Sequence, residues 1–168
     1  MNWEAISAIG ELVGAIAVIV TIGYLAIQIR QNTSALRAVA TQGVTDEAAS
    51  IYQTLCTDPE LATIAVRGWN AIDELNNSET ARFYAYNMMT LFYLQNWYFQ
   101  TRDGHIEVDL LASWTRILQQ MVTTQGFQRF WNDRKMIFAP EFQRYVDDEA
   151  IGKASETAFK PLGVTAKQ

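Results

Sequence analysis

The sequence has very little of the residue types on which most catalytic and metal-binding sites depend. It contains one cysteine, Cys56, and one histidine, His105. A single cysteine excludes an internal disulfide, and a zinc site would need further Cys or His ligands. Neither residue lies in a nucleophile motif, and no glycine-rich phosphate-binding loop is present. We therefore expect a protein that is not an enzyme, with no catalytic residues, no cofactor and no bound metal.

Basic and chain-breaking residues are also scarce. Thirteen Lys and Arg stand against eighteen Asp and Glu, which gives a net charge of −5, and only Arg134 and Lys135 are adjacent. A nucleic-acid-binding protein would need a basic stripe, so we expect no nucleic-acid partner. The chain has three prolines, no Ser/Gly-rich linker and no sustained alternation of apolar and polar residues. These absences predict an all-α fold.

Charge is nearly missing from the first 29 positions, where only Glu4 and Glu11 are charged. As a helix, the 24 residues from Ile6 to Ile29 would be about 36 Å long, enough to cross the hydrocarbon core of a bilayer. A soluble helix would show a polar face, and a signal peptide would begin with basic residues. We therefore predict one transmembrane helix within residues 1–30, surrounded by membrane lipid. A helix buried in a soluble core is the alternative.

The flanks of this segment predict its orientation. Arg30 and Arg37 follow it, and no basic residue precedes it. Trp3 and Tyr24 occupy positions typical of aromatic residues at a membrane interface. Because positive residues favour the cytoplasmic side, we expect the amino terminus outside and the carboxyl-terminal domain in the cytoplasm.

Small and polar residues recur along the segment at steps of three and four, which places them on one helix face. This seam consists of Ser7, Gly10, Gly14, Ala17, Thr21, Tyr24 and Gln28. Small residues let helix backbones approach in lipid, so we predict that Ser7, Gly10, Glu11, Gly14, Ala17 and Thr21 form a helix-association surface. Glu11 lies beside the seam and has two interpretations. It is a boundary residue reaching the outer interface, or a carboxyl group that faces a partner or a proton path.

The remainder of the chain predicts a helical bundle over residues 31–151 and a polar tail over residues 152–168. No stop signal occurs at Arg30, so we expect the first helix to continue into the bundle. The apolar residues of this continuation mark one face, and they are Leu36, Val39, Ala40, Val44, Ala48, Ile51 and Leu55. The fold class is therefore all-α, with a single amino-terminal transmembrane helix that continues into a cytoplasmic helical bundle.

Further helix boundaries follow from capping and breaking residues. One helix begins at Asp58 and Pro59 and runs to about Glu74. The other predicted boundaries are a cap at Ser78, a stop at Gly104, a cap at Asp109, an interruption at Gly126 and a start at Pro140.

The uncharged run "FYAYNMMTLFYLQNWYFQT", residues 83–101, could form a second membrane segment. Asn87, Gln95 and Asn96 interrupt it, so we favour a core helix. Its aromatic residues could line a small-molecule pocket, although residues at such spacings usually belong to a core. They are Tyr84, Tyr86, Tyr93, Trp97 and Tyr98.

Two further stretches have a functional and a structural interpretation. "DGHIEVD" places Asp103, His105, Glu107 and Asp109 at alternate positions, which suits either a cation loop or an ordinary turn between helices. "FQRFWNDRKMIFAPEFQRYV" mixes basic with aromatic residues, which suits either phosphate recognition or an amphipathic helix pair with solvated arginines. In both cases we favour the structural interpretation.

The stretches "WEAISAIGELVGAIAVIVTIGYLAIQIRQNT" and "GFQRFWNDRKMIFAPEFQRYVDD" resemble a family of small uncharacterised bacterial membrane proteins, over most of residues 3–150. The resemblance implies a single-pass protein of the bacterial inner membrane, with an amino-terminal anchor and a helical domain. It implies no activity and no site residues.

Three functions are compatible with these features. The first, which we prefer, is a membrane-anchored interaction protein that forms a homo-oligomer or serves as accessory subunit of a membrane complex. The second is a pore or proton-conducting assembly lined by the first helix. The third is a small-molecule sensor or enzyme that uses the aromatic helix as its pocket.

Overall fold

The computed structural model describes residues 3–154, and this part of the chain consists of helices and connecting turns, with no strand. Six α-helices are connected by short turns, and short 3₁₀ segments follow the second and fifth. The α-helices are α1 (Trp3–Thr57), α2 (Pro59–Asn70), α3 (Asn77–Arg102), α4 (Val108–Met121), α5 (Gln125–Arg134) and α6 (Pro140–Tyr145), and a π-helical turn, Val146–Ile151, follows α6. The all-α prediction is therefore confirmed.

Helix α1 runs without a break past the predicted end of the apolar segment, so the predicted continuation is confirmed. Gly43 lies inside this helix and does not interrupt it. The chain divides into two compact units, Met1–Val39 and Ala40–Gln168. Residues 155–168, which include most of the predicted polar tail, lie outside the described residues.

The amino-terminal unit consists of helix α1 up to Val39. Every described side chain from Ile6 to Val39 is exposed, including the large apolar ones. By length and composition this helix can cross a membrane. Leu36 and Val39, which were predicted on the apolar face of this continuation, are exposed, and the buried part of that face begins with the half-buried Ala40 and with Val44.

The second unit has its own hydrophobic core. Helix α1 supplies Val44, Ala48 and Ile51, α2 packs against α3 and α5, and α4 packs against both α3 and the π-helical turn. Aromatic side chains fill the centre of this core, and those that are almost fully buried are Phe83, Trp97, Phe127, Phe130, Trp131, Phe138 and Phe142. Burying one such side chain contributes roughly 1.5–3 kcal/mol, so this unit has a core independent of any membrane.

Helix α2 begins as predicted. The Asp58 carboxylate accepts a hydrogen bond from the Leu61 amide at 2.9 Å, and Pro59 occupies the first helical turn. The helix ends at Asn70 rather than at Glu74, because Ala71 leaves the helical conformation with φ −149°. The chain then forms a 3₁₀ turn, Ile72–Glu74, whose Ile72 side chain is buried.

Helix α3 is a core helix and not a second exposed span, since Phe83, Leu91 and Leu94 are buried against neighbouring helices. The prediction of Ser78 as its cap was wrong. Asn76 is the cap, and it forms a reciprocal capping box with Glu79, each side chain accepting from the other residue's amide at 2.9 Å. The helix ends at Arg102, and Gly104 follows with φ +77°, a conformation that favours glycine.

Two predicted boundaries after α3 were also wrong. Asp109 does not cap α4, because the cap position is Glu107 and Asp109 lies in the first turn. Gly126 does not interrupt the chain, because α5 starts at Gln125 with Thr124 as its cap. Gly126 is buried against the backbone of Gly68, which explains why a glycine is needed there. Helix α6 starts at Pro140 as predicted.

Candidate functional site: an exposed apolar helix and an apolar cavity

The predicted helix-association residues all lie on the exposed part of α1. Gly10 and Gly14 are separated by four residues and therefore lie on the same face, and nothing lies within 4 Å of the position where a Cβ would be at either glycine. Ser7 and Ala17 extend this face in the two directions along the helix. The seam thus offers a strip of bare backbone to which a second helix can approach closely.

Two polar side chains of the seam form hydrogen bonds within the helix. The Thr21 hydroxyl donates to the Ala17 carbonyl at 2.8 Å, and the Gln28 amide donates to the Tyr24 hydroxyl at 2.7 Å. In a bilayer core an unsatisfied polar group would cost several kcal/mol, and these internal bonds would reduce that cost. What the seam leaves open is therefore its backbone at Gly10 and Gly14.

Glu11 is exposed and lies beside this strip. At 1.5 Å rise per residue, its Cα is about 10 Å along the axis from the middle of residues 6–29, close to one edge of a hydrocarbon core about 30 Å thick. Among the described residues, no ion pair involves Glu11. This depth fits the boundary interpretation of the carboxylate better than a proton path through the bilayer centre.

The second unit contains a cavity of about 510 Å³ between α1, α2, α3 and α4. Ile51, Ala65, Trp69 and Tyr86 form its buried part, and Tyr52 is among the exposed residues that border it. None of the described residues that line the cavity is charged. Its walls are mostly aliphatic and aromatic, which is typical of sites for small apolar molecules.

Of the five aromatic residues proposed from the sequence as pocket residues, only Tyr86 lines this cavity. Trp97 instead belongs to the core, where its indole N–H donates to the Glu47 carboxylate at 2.5 Å. The hydroxyl of Tyr84 donates to Asp133 at 2.7 Å, away from the cavity. The aromatic run therefore serves mainly to build the core.

Burial gives two of these tyrosines an altered acidity. Burial raises the pKa of Tyr86 to about 12, so its hydroxyl stays protonated at neutral pH. Burial, reinforced by the hydrogen bond to Asp133, likewise raises the pKa of Tyr84 to about 12. The cavity therefore presents a neutral phenol.

The stretch "DGHIEVD" forms the turn after α3 and the start of α4, which contains Asp109. The Asp103 carboxylate accepts a hydrogen bond from Arg102 at 2.9 Å, and His105 and Glu107 are exposed. Within residues 3–154, no group of three His, Cys, Asp or Glu side chains could hold a metal ion. Cys56 is a free, exposed thiol.

The basic residues among the carboxyl-terminal aromatic residues lie at the surface. Arg129 pairs with Asp73, and the Lys135 ammonium lies 3.9 Å from the Asp147 carboxylate. The guanidinium of Arg134 lies 5.4 Å from the centre of the Tyr84 ring. These contacts fit the interpretation of solvated basic side chains around a buried aromatic core.

Sequence reasoning missed the cavity walls formed by Ile51, Trp69 and Trp114. Each of these residues has an ordinary helical spacing, and only the packing of four helices brings them together.

The resemblance to a family of bacterial membrane proteins stays a prediction. No family model, no curated protein and no solved structure matches this chain.

Proposed function

We propose that this protein is a membrane-anchored interaction protein. Residues 6–29 cross the bilayer once, and the helical unit that begins at Ala40 carries the surfaces that the anchor holds at the membrane. The anchor associates with another span through its small-residue seam, either that of a second copy or that of a larger membrane complex.

The observation that supports the anchor is that the apolar part of α1 is exposed over residues 6–39, while the second unit already has a core of its own. Between Ile6 and Ile29 there are twelve Ile, Leu and Val residues. On insertion scales, each contributes roughly −0.3 to −0.6 kcal/mol, about −4 to −7 kcal/mol in total. One carboxylate at the bilayer centre would cost about 2.5–3.5 kcal/mol, and Glu11 near the edge costs less. The apolar residues therefore outweigh the cost of Glu11.

The seam supports the association. An anchor alone needs only apolar residues, but Gly10 and Gly14 leave open backbone on one face. Glycine within a helix costs about 0.5–1 kcal/mol relative to alanine, so two glycines on one face reduce helix stability unless they make a contact.

The association is tested by native mass analysis of the full-length protein, purified from its own membrane in a mild detergent. Gly14→Ile places a branched side chain in the contact, and we expect it to lower the population of the assembly at least fivefold. Gly23→Ile is the matched control, because Gly23 is nine residues, or two and a half turns, from Gly14 and therefore lies on the opposite face of the helix. If the two variants and the parent chain show the same distribution, the span is only an anchor.

Glu11→Gln distinguishes the two interpretations of this carboxylate in the same assay. A boundary carboxylate tolerates the change, and we expect the assembly to be unaltered. Loss of the complex would show that Glu11 pairs with a partner, and loss of proton conductance in vesicles would favour a conducting assembly.

The topology is tested with impermeant thiol reagents in intact cells. Cys56 is exposed, so it is itself a reporter for the helical unit, and we expect it to react only after permeabilisation. A cysteine at Asn2, in a chain carrying Cys56→Ser, should react in intact cells. The opposite labelling pattern would refute the orientation inferred from Arg30 and Arg37.

A further inference from the structure

We propose that the cavity between α1, α2, α3 and α4 binds a neutral, largely apolar small molecule. This site is independent of the proposed anchor, because all of its walls belong to the second unit. The proposal depends on the size of the cavity and on the chemistry of its lining.

The size and lining fit a small organic molecule. A volume of about 510 Å³ lies within the range of roughly 300–1,000 Å³ found for ligand pockets. Ile51 and Ala65 are 3% and 1% exposed, so the inner wall is rigidly held by the core, whereas Tyr52 is 43% exposed at the border. A ligand can therefore enter from solvent and contact a preformed apolar wall.

The absence of charge from the lining selects for a neutral ligand. None of the described lining residues is Asp, Glu, Lys, Arg or His, and burial keeps the Tyr86 hydroxyl protonated. An ionised ligand would lose its hydration without gaining a counter-charge, which is costly in an apolar site. A neutral alcohol, ketone, ester or phenol incurs no such cost.

Trp69 contributes its aromatic ring to the cavity wall rather than a hydrogen-bond donor. The residue is 9% exposed, and its indole N–H is buried without an acceptor among the described residues. Because that nitrogen has almost no accessible surface, a ligand in the cavity does not reach it. The ring meets Tyr86 edge-on, with the ring centres 6.1 Å apart, so the two rings form one apolar part of the wall.

The binding test uses the full-length protein in lipid nanodiscs and the photoreactive probe 4-benzoylbenzyl alcohol. Benzophenones label methionine readily, and Met121 is in the cavity wall whereas Met136 is 80% exposed elsewhere. We expect labelling of Met121 and its neighbours that saturates with a Kd of about 0.1–1 mM. Partition into lipid would instead label the span and increase linearly with probe concentration.

Two comparisons test the chemistry of the site. The carboxylate analogue, 4-benzoylbenzoate, should bind at least tenfold more weakly. Ala62→Phe fills part of the cavity and should reduce labelling of Met121 at least fivefold, while Ala81→Phe, on the exposed face of α3, should not. The helicity of Ala62→Phe, measured during heating, shows whether this variant is folded. If it is not folded, the pattern of labelled residues in the parent chain still tests the site.

Two results would overturn the proposed site. One is labelling that increases linearly with probe concentration and is spread over the chain. The other is equal binding of the carboxylate analogue.

Discussion

Gly126→Ala is the substitution whose effect follows most directly from the geometry of the helical unit. Gly126 lies in the first turn of α5, where a Cβ would lie 1.8 Å from the Gly68 carbonyl oxygen and 3.1 Å from the Trp69 Cα. An ordinary carbon–oxygen contact is about 3.3–3.6 Å, so α5 and α2 would have to separate by about 1.5 Å. Backbone atoms cannot rotate away as side chains do. We expect a loss of about 2–4 kcal/mol in the free energy of unfolding.

The same substitution at Gly43 is the matched control and should act in the opposite direction. Gly43 lies inside α1, and nothing lies within 4 Å of the position of an added Cβ. Alanine there should stabilise the helix by about 0.5–1 kcal/mol. Urea unfolding of the full-length protein in mild detergent, followed by the fluorescence of its buried tryptophans, measures both values. A Gly126→Ala variant within about 0.5 kcal/mol of the parent would refute the close approach of α2 and α5.

Two further predictions concern buried polar groups in the same unit. Because the folded pKa of Tyr86 is about 12 and the unperturbed value is 10.0, the stabilisation from its protonated form is complete below about pH 10. It is lost as the pH rises through about 12, by roughly 3 kcal/mol in all. Tyr86→Phe should therefore reduce the loss of stability at alkaline pH, measured by urea unfolding as a function of pH. Glu47→Gln weakens the hydrogen bond from the Trp97 indole and should lower the free energy of unfolding in urea by about 1–3 kcal/mol. Glu60→Gln, at an exposed ion pair, is the comparison and should lower it by less than about 1 kcal/mol.

Local signals in the sequence located several helix boundaries because their interactions span only three or four residues. Asp58 with Pro59, Gly104 and Pro140 are such cases, and the structure has boundaries at all three. Ser78 was mistaken for a cap although the pattern Asn76-x-x-Glu79 is the better capping box, so this error could have been avoided from the sequence.

Other errors arose where long-range packing overrides a local tendency. Gly126 has the composition of a helix breaker, but α5 contains it because a side chain there would collide with Gly68, a residue on another helix. The spacing around Leu36 and Val39 suggests a buried face, but no partner element reaches those positions within the first unit. The burial of Gly126 and the exposure of Leu36 and Val39 both depend on other parts of the chain, so the neighbouring residues in the sequence do not indicate them.

The cavity shows the same limit for the candidate site. Tyr86 was singled out within its aromatic run, but Ile51, Trp69 and Trp114 come from three other helices. Sequence periodicity indicates which face of a helix is buried and does not indicate where two buried faces leave a gap. The long apolar helix, by contrast, could be predicted, because its length and composition can be read from consecutive residues.

Alkaline carbonate washing of native membranes tests the central claim, that residues 6–29 cross a bilayer, most directly. The full-length parent should stay in the membrane pellet. A chain carrying both Ile16→Lys and Val20→Lys should be released, because two mid-span lysines cost about 5–7 kcal/mol on insertion scales, as much as the apolar residues contribute. A chain carrying Leu36→Lys and Val39→Lys, outside the segment, should be retained like the parent. Release of the parent chain as a soluble protein would contradict the anchor.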